Sequence, residues 1–369
     1  MRSFFKNATR LVSFGIISKI DFLVKPGLFL TCVCLLCTAG IYADNSESDF
    51  SKGPLYGKNL YIPYLIHYNF PSLPAKSGEC SDLQYHFSLY YIQDVNYRAK
   101  DMSGYDETDW SERRYDKINI TRDYESCAAE LGVAYNFSKQ LQTGMDMRLY
   151  AYYGGFLDPA LEAYHNVFGF KNGGREYFLQ NRIYINIQNA NGITIFLDEP
   201  ACSFGDIDLW GKWTFWENRK VSLAALAAFK LPTGSLSSLS GSGYPDTALG
   251  LLSDFRVLSF LTLYSQAGIV VPFNGKSYPM FNGLLGTEIH PWKKLSFNLQ
   301  MNIKTSPITD VQGYKQYSKP QTNILAGAIL QYKTIKLQFY MEEDAFTHQG
   351  TDITISFMFS QTINLKNRN

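Results

Sequence analysis

Residues 205–231 constrain the fold more than any other stretch of this chain. Apolar and polar side chains alternate along its first half with the two-residue period of a β-strand. One face carries Ile207, Leu209, Gly211, Trp213 and Phe215, and the other carries Asp206, Asp208, Trp210, Lys212 and Thr214. A polar turn at 217–219 follows, and residues 221–231 repeat the alternation. The stretch predicts a β-hairpin with long strands and a very short turn.

The same alternation recurs along the chain and predicts about twelve strands. Besides the hairpin, the predicted strands lie near 83–97, 124–137, 141–153, 247–257, 260–271, 281–290, 294–304, 322–332, 335–343 and 352–363. Connections of two or three residues alternate with long ones, as in outer-membrane barrels with short periplasmic turns and longer outer loops. The pattern predicts an all-β fold, a transmembrane antiparallel β-barrel. The alternative is a soluble β-sandwich or lipocalin-like barrel, which would hide its apolar face inside.

Composition agrees with a barrel that is apolar outside and wet inside. Aromatic residues make up 15% of the 369 residues and the formal net charge is +1, while the mean hydropathy is −0.17. The balanced charge gives no reason to expect a nucleic-acid partner. After the N-terminal region no run of eighteen apolar residues occurs, so a transmembrane helix is not predicted.

The N-terminus resembles an export signal. Basic residues precede the short apolar run at 28–38, and small residues lead to a predicted cleavage near Ala43. The alternative is an uncleaved anchor helix. We expect a signal peptide at 1–43, an extended segment at 44–80 that folds into the barrel mouth, and the barrel at 81–369. The expected location is the outer membrane, and the expected partners are outer-membrane lipid and the barrel assembly machinery.

The polar faces of the predicted strands carry charges of both signs, which suits a wet interior. The predicted lumen-facing residues are Asp146, Arg148, Asp206, Asp208, Lys212, Asp254, Arg256 and Glu288. Their charges are nearly balanced, so strong anion or cation selectivity is not implied. Two readings remain: a narrow channel, or a lumen closed by paired charges, side chains and a plug.

The long connection at 154–204 contains a helical pattern. Asp158 is a good N-cap, Pro159 a good first helical residue, and Gly169 a good terminator. Apolar and aromatic residues recur between them at helical spacing. We expect a short helix in an extracellular loop, lying over or in the outer mouth. Asp158, His165 and Arg175 are the candidate loop residues for solute contact, although a local structural hydrogen bond is the favoured role for His165.

Three pieces of sequence resemble a family of Gram-negative outer-membrane proteins of unknown function. They are the GPL tripeptide at 53–55, the GGFLD…H…FG…GGR insertion at 154–175, and KLPTG…GSG…D at 230–246. The insertion is the specific piece. The resemblance implies an outer-membrane barrel and leaves its solute open.

Three functions remain open. Passive passage or binding of an unknown small solute follows from the charged inner wall, with no cofactor implied. The alternative is a structural or adhesion barrel acting through its loops, of which 98–123 is the most charged. A lipid hydrolase is less favoured, because only His86 has a serine, Ser88, close by on the same predicted face, and that face points away from lipid.

Six cysteines are present, and three of them lie in the predicted signal. The remaining Cys80, Cys127 and Cys202 allow at most one bridge. Cys127 and Cys202 both lie beside predicted outer loops, so we expect them to pair and Cys80 to stay free. No cysteine pair has zinc-finger spacing, and no metal site is predicted.

Overall fold

In the computed structural model, residues 51–62, 64–97, 120–169, 180–188, 194–307, 320–344 and 353–366 are described. Strands dominate these ranges. They are β1 (Asp82–Tyr97), β2 (Ile120–Asn136), β3 (Leu141–Tyr153), β4 (Tyr184–Gln188), β5 (Thr194–Leu197), β6 (Ala201–Glu217), β7 (Val221–Leu231), β8 (Asp246–Leu258), β9 (Leu261–Pro272), β10 (Met280–Ile289), β11 (Leu295–Lys304), β12 (Gln321–Tyr332), β13 (Ile335–Asp344) and β14 (Ile353–Asn364). One α-helix, α1, spans Asp158–Phe168 within the described ranges.

Twelve of these strands close into an antiparallel barrel. Each strand is hydrogen-bonded to its neighbours. The order around the ring is β1, β14, β13, β12, β11, β10, β9, β8, β7, β6, β3 and β2. β1 closes the ring, because Phe87 is paired with Phe359 of β14 on one side and with Leu131 of β2 on the other. A closed ring leaves no unpaired strand edge, the condition for a β-sheet in lipid. The predicted twelve-stranded barrel is confirmed.

The connections alternate in length around the ring. The short ones lie at 137–140, 218–220, 259–260, 290–294 and 333–334, and they define the short-turn end of the barrel. The opposite, long-loop end carries the longer connections. In outer-membrane barrels the short turns face the periplasm.

Two details at the long-loop end differ from the sequence expectation. The second strand begins at Ile120 and not near Tyr124, so four residues assigned to a loop belong to β2. They pair with β4, which pairs in turn with β5, so the small β4–β5 hairpin extends the wall beyond the barrel rim. Backbone pairing with β1 and β4 stabilises residues 120–123 as a strand. The pattern of side chains within these four residues does not reveal that pairing.

The outer surface is apolar over the middle of the strands. Leu249, Leu251, Ile269, Leu285 and Phe339 are among the exposed large side chains there. Aromatic residues gather towards both ends, as expected at the two membrane interfaces. Those near the short turns include Phe137, Trp213, Trp216, Trp292 and Tyr332, and those near the long loops include Phe204, Tyr244, Phe273, Tyr278 and Phe281.

This outward apolar face identifies the protein as an outer-membrane barrel, because a soluble barrel would bury that face. No helix in the described ranges is both long enough and apolar enough to cross a bilayer. The buried side chains lie instead inside the ring, where the strands meet residues 51–80.

Candidate functional site: the filled barrel lumen

Residues 51–80 form a loop through the lumen, here called the luminal hairpin. It has an ascending limb (51–60), an apex (61–69) and a descending limb (70–80). Apart from a 3-10 turn at Tyr64–Ile66, its described residues are without regular structure. Most of its side chains are nonetheless buried. Wall side chains satisfy its backbone groups, which an irregular buried segment requires.

The ascending limb starts at the short-turn end. Glu288, near the end of β10, accepts hydrogen bonds from Ser51 Oγ and from the Lys52 backbone nitrogen, both at 2.8 Å. Lys52 Nζ donates to the main-chain oxygen of Trp292 in the β10–β11 turn at 3.4 Å. The first described residues therefore lie beside the short turns.

The apex lies at the long-loop end. Arg122, at the outer end of β2, donates to the main-chain oxygen of Ile62 at 3.0 Å, and its guanidinium lies 4.1 Å from the ring centre of Tyr61. Lys304, at the outer end of β11, donates to Asn69 Oδ1 at 2.7 Å. The hairpin thus crosses the whole lumen before it turns back.

A buried charge cluster holds the apex. Lys230 Nζ donates to the main-chain oxygen of Ile66 at 3.0 Å and to Asp206 Oδ2 at 2.5 Å. Asp246 Oδ2 accepts from the backbone nitrogen of Tyr68 at 2.8 Å and lies 3.4 Å from His67 Nδ1. Lys230 and Asp246 both belong to the KLPTG…GSG…D stretch, so this motif binds the hairpin.

His67 is buried in the apex, and burial lowers the pKa of its imidazole, partly offset by Asp246. Its Nε2 lies 3.2 Å from Ser277 Oγ in the β9–β10 loop. The cation Lys230 contacts the same carboxylate, Asp246, at 3.6 Å. The site therefore favours the neutral imidazole.

The descending limb returns to the short-turn end. The Asp254 carboxylate accepts from the backbone nitrogens of Ala75 and Lys76, both at 2.9 Å. Lys212 Nζ donates to the main-chain oxygens of Pro74 at 2.7 Å and Lys76 at 3.1 Å. Both ends of the hairpin consequently lie at the short-turn end of the barrel.

Midway along the lumen, Lys58 of the ascending limb enters a group of wall carboxylates. Its Nζ lies 2.8 Å from Glu130, 2.9 Å from Asp146 and 3.8 Å from Asp208. The carboxylates of Asp146 and Glu130 stabilise its positive charge in this buried position. Lys58 is therefore a buried ammonium, and Arg148 is ion-paired with Asp208 beside it.

The predicted lumen-facing residues all lie on the inner wall or its rim. Six of the eight are buried, while Asp254 and Arg256 are half-buried towards the short turns. Four of them, Asp146, Lys212, Asp254 and Glu288, form hydrogen bonds with the hairpin. Asp208 lies 3.8 Å from Lys58 and also pairs with Arg148, and Asp206 acts through Lys230.

Other residues of this site, Glu130, Asp246 and Lys58 among them, were not predicted to face the lumen. Glu130 and Asp246 occupy inward positions of β2 and β8, so strand alternation carried a signal for both. Lys58 carried none, because the segment around it has no periodicity.

A cavity of about 40 Å³ remains between the hairpin and the wall, near Asn69, Ser72 and Lys304. That volume holds no more than a few waters. In the described part of the chain, the hairpin and the inward wall residues otherwise bury one another. The structure therefore corresponds to a closed lumen, the second of the two readings left open by the sequence.

The loop candidates divide into described and undescribed residues. Asp158 is buried and accepts hydrogen bonds from Gln93 Nε2 at 3.2 Å and from the backbone nitrogen of Asn181 at 2.8 Å. Its contacts connect the start of α1 to β1 and to residues 180–188, the next described range. The side chain of His165 and the whole of Arg175 lie outside the described residues.

Cys80, Cys127 and Cys202 are free thiols. Cys127 of β2 and Cys202 of β6 are both paired with Ala151 of β3, which lies between them. Two strand spacings amount to roughly 10 Å, beyond the roughly 7 Å limit between the Cα atoms of a disulfide. The structure thus contradicts the predicted bridge, because proximity to the same end of the barrel does not make strands adjacent.

The His86 and Ser88 pair faces the lumen as predicted. His86 Nε2 lies 3.2 Å from Glu130 Oε1 and not at the lipid surface. A lipid hydrolase acting on the outer wall therefore gains no support from this pair.

Solved structures with similar folds are outer-membrane barrels of low sequence identity. An outer membrane channel from Pseudomonas putida F1 is 8% identical, with 78% of this chain and 98% of that chain covered and a TM-score of 0.49. The NanC porin is 5% identical, with 76% and 98% covered and a TM-score of 0.42. The Pseudomonas putida toluene transporter TodX is 10% identical, with 78% and 90% covered and a TM-score of 0.36.

A comparison with curated proteins gave no match. A family model described as "Protein of unknown function (DUF3187)" matches residues 109–361. These residues include every barrel strand except β1 and the end of β14. The match covers more than half of the chain and confirms the resemblance inferred from its motifs: the protein belongs to the DUF3187 family.

Proposed function

We propose that the protein is a passive channel for small solutes across the outer membrane, and that the luminal hairpin closes it. The lumen opens when the hairpin is displaced. One observation carries the proposal: the inner wall is polar and charged, and it holds the hairpin by side-chain contacts, whereas strand pairing joins the wall strands to one another. The hairpin can leave without breaking the barrel.

The course of the hairpin gives the direction of opening. Ser51 and Lys76 both contact wall residues near the short turns, whereas Asn69 contacts the long-loop end. A loop whose two ends lie on one side can withdraw towards that side without threading. Opening is therefore directed towards the periplasm.

A barrel whose lumen stays filled is the second candidate. The buried ion pairs of Lys58 and Lys230 favour it, because exposing such charges to water reorganises many contacts at once. The two candidates differ in one measurable property, the conductance that follows release of the hairpin.

A reversible lock tests this difference. Ser77 Oγ of the descending limb lies 2.9 Å from Thr214 Oγ1 of β6, so cysteines at both positions fall within bridging reach. The variant carries Ser77→Cys and Thr214→Cys in a background with Cys80, Cys127 and Cys202 replaced by serine. The matched control carries Ser77→Cys alone.

Planar-bilayer recordings give the readout. We expect the oxidised double variant to stay silent and the reduced protein to show openings, more often after the hairpin contacts of Asp254 are weakened. A variant lacking residues 54–76 should conduct continuously if it assembles. Silence of the reduced and Asp254-weakened barrels, with conduction only after deletion of the hairpin, would support the permanently filled barrel. Silence of the hairpin-deleted barrel as well would refute the channel.

The proposal includes export. Residues 1–43 act as the signal peptide, residues 44–80 enter the lumen, and the barrel assembly machinery inserts residues 81–369. N-terminal sequencing of the protein from purified outer membranes should give a start near residue 44. A start at Met1 would contradict this processing.

A further inference from the structure

Lumen-facing side chains from neighbouring strands form a row in the wall behind Lys58. His86 of β1 is paired with Gly132 of β2, Gly132 with Asp146 of β3, and Asp146 with Asp208 of β6. Glu130, two residues before Gly132, faces the same side. One imidazole and three carboxylates therefore lie close together at one place in the lumen.

The spacing of these groups fits a metal ion. His86 Nε2 lies 3.2 Å from Glu130 Oε1 and 3.8 Å from Asp146 Oδ1. One ligand atom from each of His86, Glu130 and Asp146 can be chosen with all three within 4.8 Å of one another. Ligands at about 2.0–2.2 Å from one ion are separated by roughly 3–4 Å. A nitrogen with carboxylate oxygens suits Zn²⁺ or Mn²⁺.

Gly132 makes this convergence possible. A Cβ on Gly132 would lie 2.0 Å from His86 Cε1 and 2.4 Å from Asp146 Oδ1. Any other residue would therefore push the imidazole and the carboxylate apart across β2. The absence of a side chain at this position keeps an open space between two ligating groups.

The place is already occupied by a cation. Lys58 Nζ contacts Glu130 and Asp146 at hydrogen-bond distances. Asp146 Oδ1 is buried and accepts no hydrogen bond, so part of the ligating capacity is unused. Without Lys58, three carboxylates would face Arg148 alone, and unbalanced buried charge is costly. The wall site requires a positive partner.

We propose that His86, Glu130 and Asp146 form a divalent-cation site of the barrel wall, with Asp208 adding negative charge, and that Lys58 fills it as a tethered cation while the hairpin is in the lumen. The inference rests on the proposed function in one respect: an external cation reaches the site only after the hairpin has moved. Residue spacing does not reveal this site, because the ligands lie on three different strands.

Mn²⁺ binding to the full chain in detergent tests the site. The signal of free Mn²⁺ in electron paramagnetic resonance disappears on binding, so it reports stoichiometry directly. We expect Lys58→Met to bind one Mn²⁺ per barrel, and the wild type to bind at least tenfold more weakly. Mn²⁺ should also raise the unfolding temperature of Lys58→Met and leave that of the wild type unchanged.

Two controls identify the ligands. Lys304→Met removes another buried lysine that holds the hairpin, through Asn69, and it leaves the wall site filled by Lys58, so no gain of Mn²⁺ binding is expected. Adding Glu130→Gln and Asp146→Asn to Lys58→Met should abolish binding. Equal binding by either control and by Lys58→Met would overturn the proposal.

The remaining outcomes are also decisive. Lys58→Gln provides a second neutral variant if Lys58→Met assembles poorly. If neither variant binds Mn²⁺, or neither folds with or without it, the site does not exist as proposed, since a bound ion should replace the missing ammonium. If the barrels bind Mn²⁺ but never conduct, the channel is refuted and the cation site stands. If the barrels conduct but do not bind Mn²⁺, the cation site is refuted and the channel stands.

Discussion

Ser72 Oγ donates a hydrogen bond to the main-chain oxygen of Gly57 at 3.3 Å, and this contact ties the two limbs of the luminal hairpin together inside the barrel. Nearer the short turns, Gly53 has a φ of +98° and lies against the Pro74 ring, where a Cβ would stand 3.7 Å from Pro74 Cγ. The limbs thus pack on one another as well as on the wall, and the hairpin fills the lumen as one unit. The glycine of the GPL motif supplies the left-handed backbone that this packing uses.

The carboxylate of Asp254 should control how firmly the descending limb is held. Asp254→Ala removes the acceptor for the backbone nitrogens of Ala75 and Lys76. Ala75 is buried, and a buried donor left without a partner costs about 1–3 kcal/mol. We expect faster proteolysis within residues 70–80 by a protease added from the periplasmic side. Glu217→Ala is the control, because the carboxylate of Glu217 pairs with the exposed ammonium of Lys76. Equal proteolysis of both variants would contradict the assignment.

Lys230 should matter more for stability than an exposed lysine. Lys230→Met leaves Asp206 and Asp246 buried without their cation, and loss of one partner of a buried ion pair costs about 3–5 kcal/mol. We expect a clear drop in the temperature at which the folded band disappears on unheated gels. Lys139→Met removes an exposed pair with Glu79, which water screens, and should lower this temperature little. A smaller drop for Lys230→Met than for Lys139→Met would count against the apex cluster.

Acid should loosen the apex through His67. Burial lowers the pKa of His67 in the closed lumen, while the withdrawn hairpin would show the usual value near 6.5. A lowered pKa contributes stability that is present above about pH 6.5 and is lost as pH falls towards the closed-state value. The charged imidazole would face Asp246 but also the ammonium groups of Lys230 and Lys304.

Bilayer recordings between pH 7.5 and pH 5 should therefore show more openings at low pH in the wild type. His67→Gln keeps a polar side chain beside Ser277 and removes the titration, so its response to pH should be flatter. Identical profiles for the two proteins would assign any pH effect to other groups.

The outward face of β8 should be lipid-facing in the assembled protein. Leu251 is 62% exposed in the middle of the strand, and arginine on the lipid face near the bilayer centre costs about 2–4 kcal/mol. Leu251→Arg should reduce the heat-modifiable barrel in the outer-membrane fraction, whereas Leu251→Val should not. Normal assembly of the arginine variant would place this face outside the hydrocarbon layer.

The sequence by itself determined the barrel wall. Strand alternation is a local property, because successive side chains point to opposite faces. Met145 and Met147 therefore face lipid, and Asp146 and Arg148 face the lumen, as their order along β3 predicts. The recurrence of this alternation, with long and short connections between the strands, likewise predicted the strand count.

Only the tertiary structure decided what the wall encloses. Residues 51–80 have no period that reports their surroundings, yet Lys58 meets carboxylates from β2, β3 and β6. The same limit applies to Cys127 and Cys202, which share an end of the barrel and are separated by β3. Contacts across a lumen depend on which strands become neighbours and on where each residue lies along the barrel axis. Strand order and register determine both, and they are established only when the ring closes.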